Sequence, residues 1–180
     1  MPHIHTEPGQ HDATASAFII RTDMEQPRVL FHMHKKLHKL LQPGGHVELH
    51  ETPWQAILHE LVEETGYEKD QLRVLQPDHR IKELTGAVVH PVALCQNTHS
   101  FSAAQHDHFH SDTSYAFIAE SEPRLTPVDG ESMDLRWLTK EQLASLSNTE
   151  VGQNSREIAL FALDYALAEW QPRALDEFFA

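Results

Sequence analysis

The sequence predicts an α/β chain of the α+β kind, in which a mixed sheet is flanked by helices. Three observations carry this. Short apolar runs with strand character precede, separate and follow the helical segments. One central helix is bracketed by a full set of start and stop signals. Near the C-terminus, Ile158, Phe161, Tyr165 and Ala168 recur at spacings of 3, 4 and 3, the pattern of one apolar helical face.

Residues 1–14 read as an extended arm. Residues 15–21 (ASAFIIR) and 28–33 (RVLFHM) read as two strands joined by a turn that carries Thr22, Asp23 and Pro27. The basic, leucine-rich stretch 34–41 leads into the breaker Pro43-Gly44-Gly45. Thr52 is a good N-cap, Pro53 fits the first helical position, and Gln55 completes a capping box. Gly66 sits where a terminating glycine belongs, so a helix is expected over residues 53–65.

Residues 71–76 and 79–83 have strand character. Residues 88–96 are apolar enough for a buried strand, with Pro91 marking an edge or bulge and Cys95 a small core residue. The histidine-rich piece 105–110 precedes a strand over 114–120. A last short strand is expected over 134–138. Thr139 caps a brief helix through Gln142 and Leu146, and a long helix follows over 155–170. Leu175, Phe178 and Phe179 bury either against the chain itself or against a second copy in a homodimer.

Composition narrows the function. With 180 residues the chain is expected to form a single domain. Lysine and arginine number 14 against 27 aspartates and glutamates, a net charge of −13. Bulk binding to nucleic acid or an anionic membrane needs clustered positive charge, so both are excluded as expected partners. The single cysteine permits no internal disulfide and suits a reducing cytosol. No stretch approaches a membrane span, and residues 1–14 lack the basic start and apolar run of a leader. The expected setting is cytoplasmic.

The segment that carries chemistry is 45–67, GHVELHETPWQAILHELVEETGY. On a helix, Glu60, Glu63 and Glu64 stand at i, i+3 and i+4, within reach of a common point. Trp54, Leu58 and Leu61, with Ile57 nearby, supply the opposite face that docks on the sheet. Like charges so placed repel by a few tenths of a kcal/mol per pair. Such a cluster is either a solvated face of an acidic protein or a site for a cation. Oxygen-only ligands favour Mg²⁺, Mn²⁺ or Ca²⁺. Pro43-Gly44-Gly45 allows a backbone carbonyl to approach such an ion, and Glu51 stands just ahead of the N-cap.

Together these residues resemble the Nudix box, the glycine, x5, glutamate, x7, REUxEExGU signature of the Nudix hydrolase superfamily. Gly45, Glu51, Glu60, Glu63, Glu64 and Gly66 match it, and His59 replaces the arginine. The segment around Glu131 and Trp137 also looks Nudix-like. The resemblance implies an αβα sandwich whose loop–helix–loop binds Mg²⁺ or Mn²⁺ through Glu60, Glu63, Glu64 and the Gly44 carbonyl. It implies hydrolysis of a diphosphate linkage in a nucleoside-diphosphate-linked or related small molecule, with Glu60 and Glu63 central to catalysis. The family arginine holds the box glutamates in place. His59 can bond Glu51 or Glu63, but a histidine is a full cation only below about pH 6.5. That substitution predicts a metal site that weakens above neutrality.

Because the chain is so acidic, local bases are needed to receive phosphates, and Lys35, Lys36 and Lys39 are the nearest candidates. The family's catalytic base often lies outside the box. On an extended chain His106, His108 and His110 share one side, with Asp112 on it and Asp107 opposite. Asp112, His110 and His108 are the candidates, in that order. His32, His34, His38, His46, His50, His90 and His99 add the prospect of a transition-metal site assembled from several strands, or a set of surface and hydrogen-bonded side chains. Two other functions fit parts of the sequence. An isopentenyl-diphosphate-isomerase-like enzyme would use histidine and glutamate metal ligands with Cys95, although the box in those enzymes is degraded. A non-catalytic Nudix-fold sensor would need no intact glutamate set. Trp137, Phe101 and Phe109 are candidates to stack on a base, and substrate identity lies outside the box.

Overall fold

Seven consecutive residues from Ala15 to Arg21 are buried, the pattern of a strand covered on both faces. The computed structural model describes residues 7–103 and 106–179, with the side chains of 101–107 outside that description. In it that run is the core of β1 (His11–Arg21). The arm expected over residues 1–14 therefore ends by residue 11, since 11–14 already pair with neighbouring strands.

The other strands are β2 (Arg28–His34), β3 (Lys39–Leu41), β4 (Gly44–His46), β5 (Leu72–Gln76), β6 (Cys95–Ala103), β7 (His106–Ala119), β8 (Leu135–Leu138) and β9 (Gln171–Ala174). Among the described residues they form one mixed sheet. Its path runs β3-β2-β1-β7-β5-β9, with β4 on β1, β6 on β7 and β8 on β2. The pairing of β1 with β7 is parallel, from His11 opposite Phe109 to Arg21 opposite Ala119. The remaining ladders between strands are antiparallel.

Helices cover both faces. α1 (Pro53–Thr65) lies on one, and α2 (Lys140–Ser145) and α3 (Gln153–Phe161) lie on the other. Ala15, Ala17 and Ile19 pack with Trp54, Leu58 and Leu61 of α1. The alternate residues Phe18 and Ile20 pack with Leu143, Ala159 and Ala162. This is the expected αβα arrangement, and period 2 along β1 decides which side chain goes to which layer.

α1 has the predicted bounds. Thr52 accepts the Gln55 N–H while the Gln55 side chain accepts the Thr52 N–H at 2.9 Å. Gly66 ends the helix at φ 75°, a left-handed position that favours glycine. Replacing Thr52 with Ala removes the cap and is expected to cost about 1 kcal/mol of stability, measured by urea denaturation.

Several sequence expectations differ from the fold. Residues 79–83 form no strand and 88–94 precede β6 rather than belonging to it. Val88 is half exposed, because prolines and exposed residues in this stretch leave it outside the sheet. Cys95 is half-buried rather than core. The histidine-rich piece is the first half of one strand, β7, held by β1 and β6 on either side. The C-terminal helix starts at Gln153, passes through a π-helical segment (Ala162–Ala166) and ends with the turn Leu167–Glu169. Its buried face is Ser155, Ala159, Ala162 and Ala166, while Phe161 and Tyr165 stack on each other outside. Small side chains let this helix lie close to the sheet, and the large ones are displaced to its flank. Leu175 and Phe178 bury in the chain's own core beside Trp54, and Phe179 stays half exposed.

Candidate active site

The box loop is an edge of the sheet pressed against α1. Pro43 accepts the Ala17 N–H and Val47 donates to Ala13, so both bond to β1. The alternate residue Gly44 turns its N–H the other way and donates it to Glu64 Oε2 at 2.7 Å. At Gly45 a side chain would collide with Glu60, since an added Cβ would lie 2.0 Å from Oε1. Gly45 is thus required by the Glu60 carboxylate, and Gly44 by the β1 backbone and its positive φ, since a Cβ there would lie 2.3 Å from Ala15 O.

Glu60 and Glu64 are nearly buried, at 7% exposure each, whereas Glu63 is exposed. Glu60 and Glu64 are therefore not part of a solvated face, and only Glu63 of the three is open to solvent. Burial is the chief cause that pushes Glu60 up to about 7, helped by the negative charge of Glu63 and Glu131. Burial likewise pushes Glu64 up to about 8, against the Gly44 hydrogen bond and with the charge of Glu60 and Glu131. The nearest imidazole, His32, has Nδ1 3.9 Å from Glu64 Oε1. Burial holds His32 down to about 4, with His34 adding to the effect, so at neutral pH it is uncharged and offers no counter-charge.

The sequence left two partners open for His59, and the structure selects one. His59 Nδ1 lies 3.1 Å from Glu51 Oε2. Glu51 is nearly buried, and its other oxygen accepts the Glu48 N–H at 3.0 Å, which fixes the loop between β4 and α1. His59 thus supports the loop through Glu51.

Glu131 is the residue that sequence reasoning passed over, noting it only as part of a late segment. The chain after β7 wraps the end of α1: Leu125 donates to Gly66 O, Val128 donates to Glu63 O at 2.8 Å, and Glu131 donates to Val128 O. This brings a fourth carboxylate near enough for Glu60 and Glu64 to feel its charge. Lys35 Nζ donates to Gly130 O at 2.8 Å, so this lysine pins the same turn. Lys36 is exposed nearby, where His34 feels both its charge and that of Glu131. Lys39 is half-buried in β3 opposite His34.

Asp112 and His110 are not brought to the glutamates. Both lie on the sheet face away from α1, in register with Thr14 and Asp12 of β1. Asp112 is buried, and it accepts hydrogen bonds from Thr14 (2.9 Å), Ser16 (2.8 Å) and Ser114 (2.6 Å). The side chains of Phe101, His106 and Asp107 lie outside the described residues. Phe109 stacks on His11, and Trp137 packs on Tyr67 under the Arg21 guanidinium.

The NUDIX domain profile matches residues 11–160. A solved structure of a NUDIX-family hydrolase from Clostridium perfringens is 32% identical, covering 85% of this chain and 96% of its own, with a TM-score of 0.64. The chain belongs to the Nudix family. Two more distant Nudix-fold structures share the architecture. An Ap4A hydrolase of C. elegans is 19% identical over 89% of this chain and 92% of its own, with a TM-score of 0.51. The NUDIX domain of Shewanella oneidensis NrtR, complexed with ADP ribose, is 14% identical over 83% and 84%, with a TM-score of 0.57. No curated protein matches the chain. Among the described residues of this Nudix protein, no helix is long and apolar enough to cross a membrane.

The raised carboxyls set the sign of the pH dependence. A glutamate whose folded value lies above its ordinary 4.5 favours folding fully below that value. It loses the contribution as pH rises through about 7 for Glu60 and about 8 for Glu64. A divalent ion bound at these carboxylates would have to displace those protons, so its affinity would rise with pH over the same window. This is opposite in sense to the weakening above neutrality expected from His59. Calorimetric Mg²⁺ titration in buffers of different ionisation enthalpy is expected to show proton release at about pH 6.5, fading by about pH 9. Affinity that falls across this range would restore the His59 expectation.

Proposed function

We propose that this Nudix pyrophosphohydrolase depends on Mg²⁺ or Mn²⁺ and cleaves the diphosphate linkage of a nucleoside-diphosphate-linked small molecule, with the whole chain acting as one catalytic domain. The observation that supports this most is the pair Glu60 and Glu64, buried against Gly44-Gly45 without a charged partner among the described residues. Two buried carboxyls pushed up to about 7 and 8 either hold their protons or meet a cation, and an all-oxygen donor set suits a hard one. The donors present fit the ion that the family implies.

Glu60, Glu63 and Glu64, with the Gly44 carbonyl, would hold it. When bound, such an ion neutralises phosphate oxygens and lowers the pKa of water. The chain's own residues do the rest. Gly44 N–H orients Glu64, Gly45 leaves room for Glu60, and Glu51 with His59 fixes the loop that carries both glycines. Glu63 is the exposed member and faces the substrate side. Glu131, whose charge is felt by Glu60 and Glu64, is the carboxylate outside the box that we take as the base accepting a proton from the attacking water, in preference to Asp112 or His110 on the far sheet face. Lys36 provides positive charge at the same rim, while Lys35 holds the turn and Lys39 serves β3.

The Ap4A hydrolase and the ADP-ribose-bound NrtR domain support a nucleotide-linked substrate class. The isomerase-like alternative loses its main support, because Cys95 pairs with Ser114 on the far side of the sheet from α1. The test is product analysis on a panel of nucleoside-diphosphate-linked compounds with Mg²⁺, Mn²⁺ or chelator. Metal-dependent release of a nucleoside monophosphate and a second phosphorylated product is expected. A folded, metal-binding protein that turns over nothing on the panel would refute the reading.

A further inference from the structure

The sheet face away from α1 carries a second concentration of ligand groups. Along β1, Asp12, Thr14 and Ser16 share that face with Phe18. His46 of β4 stands opposite Thr14, and His110 of β7 stands opposite Asp12. His108 is two residues before His110, on the same side. Three adjacent strands thus place an aspartate and three imidazoles together. Neighbouring His99 on β6 is opposite His110 and is held by Asn97 at 3.1 Å.

The donor atoms of Asp12, His46 and His110 all lie within 4.8 Å of one another. His46 Nε2 and His108 Nε2 each lie 3.6 Å from the same oxygen, Asp12 Oδ2. That distance is too long for a hydrogen bond. It is close to the separation of neighbouring ligand atoms around a tetrahedral zinc ion, about 3.3–3.4 Å for bonds of about 2.0–2.1 Å. Asp12 is 1% exposed and His108 2%, so the set is closed to solvent on its inner side.

We propose that Asp12, His46 and His110 form a binding site for a borderline transition metal such as Zn²⁺, separate from the box glutamates. Imidazole donors select Zn²⁺ or Co²⁺ over Mg²⁺. The two sites are divided by the thickness of the sheet and share β4: Gly45 faces Glu60 on one side, and His46 faces Asp12 on the other. The three ligands come one each from β1, β4 and β7, so the ion joins three adjacent strands. It ties β4, the strand that carries the close glycine approach, to β1 and β7.

The test is zinc content and affinity of the full chain. The wild type is expected to retain about one zinc per chain after desalting and to give the intense visible bands of tetrahedral Co²⁺, displaced by Zn²⁺ and untouched by excess Mg²⁺. Glu63→Gln, in the box, retains the zinc, and so does His50→Ala, a control for exposed histidine. His46→Ala and His110→Ala each weaken zinc binding by more than about tenfold. Should either variant fail to fold, the Co²⁺ spectrum of the wild type decides alone. A wild type with no tightly held zinc and no tetrahedral Co²⁺ spectrum would overturn the proposal. So would folded His46→Ala and His110→Ala proteins that bind zinc as the wild type does, or loss of zinc in Glu63→Gln.

Discussion

Glu63→Gln is expected to lower metal-dependent turnover by at least about 100-fold, a barrier increase of about 2.7 kcal/mol, while leaving the thermal transition almost where it was. Glu63 is exposed on α1, so its replacement by an isosteric amide removes charge without opening a cavity. Loss of rate therefore reports on chemistry rather than on folding. Turnover by the variant at the wild-type rate would remove Glu63 from the reaction. A matching loss of stability would instead assign it a structural part.

The second large effect is expected at Gly45. Replacing it with Ala places a methyl 2.0 Å from Glu60 Oε1 and 2.6 Å from its Cδ. The obstructed group is the end of a flexible side chain, so the glutamate swings away and the backbone stays. The expected result is a chain that melts close to wild type but binds Mn²⁺ at least about tenfold more weakly. Gly44→Ala makes the contrast. Its Cβ would meet the backbone oxygen of Ala15 at 2.3 Å, at φ 152°, so that variant loses stability first. Paired melting curves and Mn²⁺ titrations separate the two glycines. Equal Mn²⁺ affinity for wild type and Gly45→Ala would mean that Glu60 does not hold the ion.

How far the sequence exposed this site follows from what holds each part. α1 was legible to the residue because its signals are local: Thr52, Pro53 and Gln55 at the start, Gly66 at the end, and an apolar stripe between. The three glutamates were legible by spacing, but not the burial of Glu60 and Glu64, which depends on β4 closing over them. Glu131 was hidden because nothing local marks it; three backbone bonds beyond β7 bring it to the end of α1. β7 was read too short because its first half is polar. That half is a strand through long-range pairing with β1 and β6, which no local pattern reveals. Asp112 illustrates the same limit. It shares a strand face with His110 as period 2 requires, yet which side of the sheet that face meets was set by the whole topology. In the C-terminal helix, the spacing of Phe161 and Tyr165 pointed to the wrong face, since close approach to the sheet selects Ala159, Ala162 and Ala166.

The most direct test of the central claim is anomalous scattering from crystals grown with Mn²⁺. The strongest peak is expected within bonding distance of Glu60, Glu63 and Glu64, beside the Gly44 backbone. A Mn²⁺ peak confined to other residues, with the three carboxylates unliganded at a pH above 8, would contradict the account.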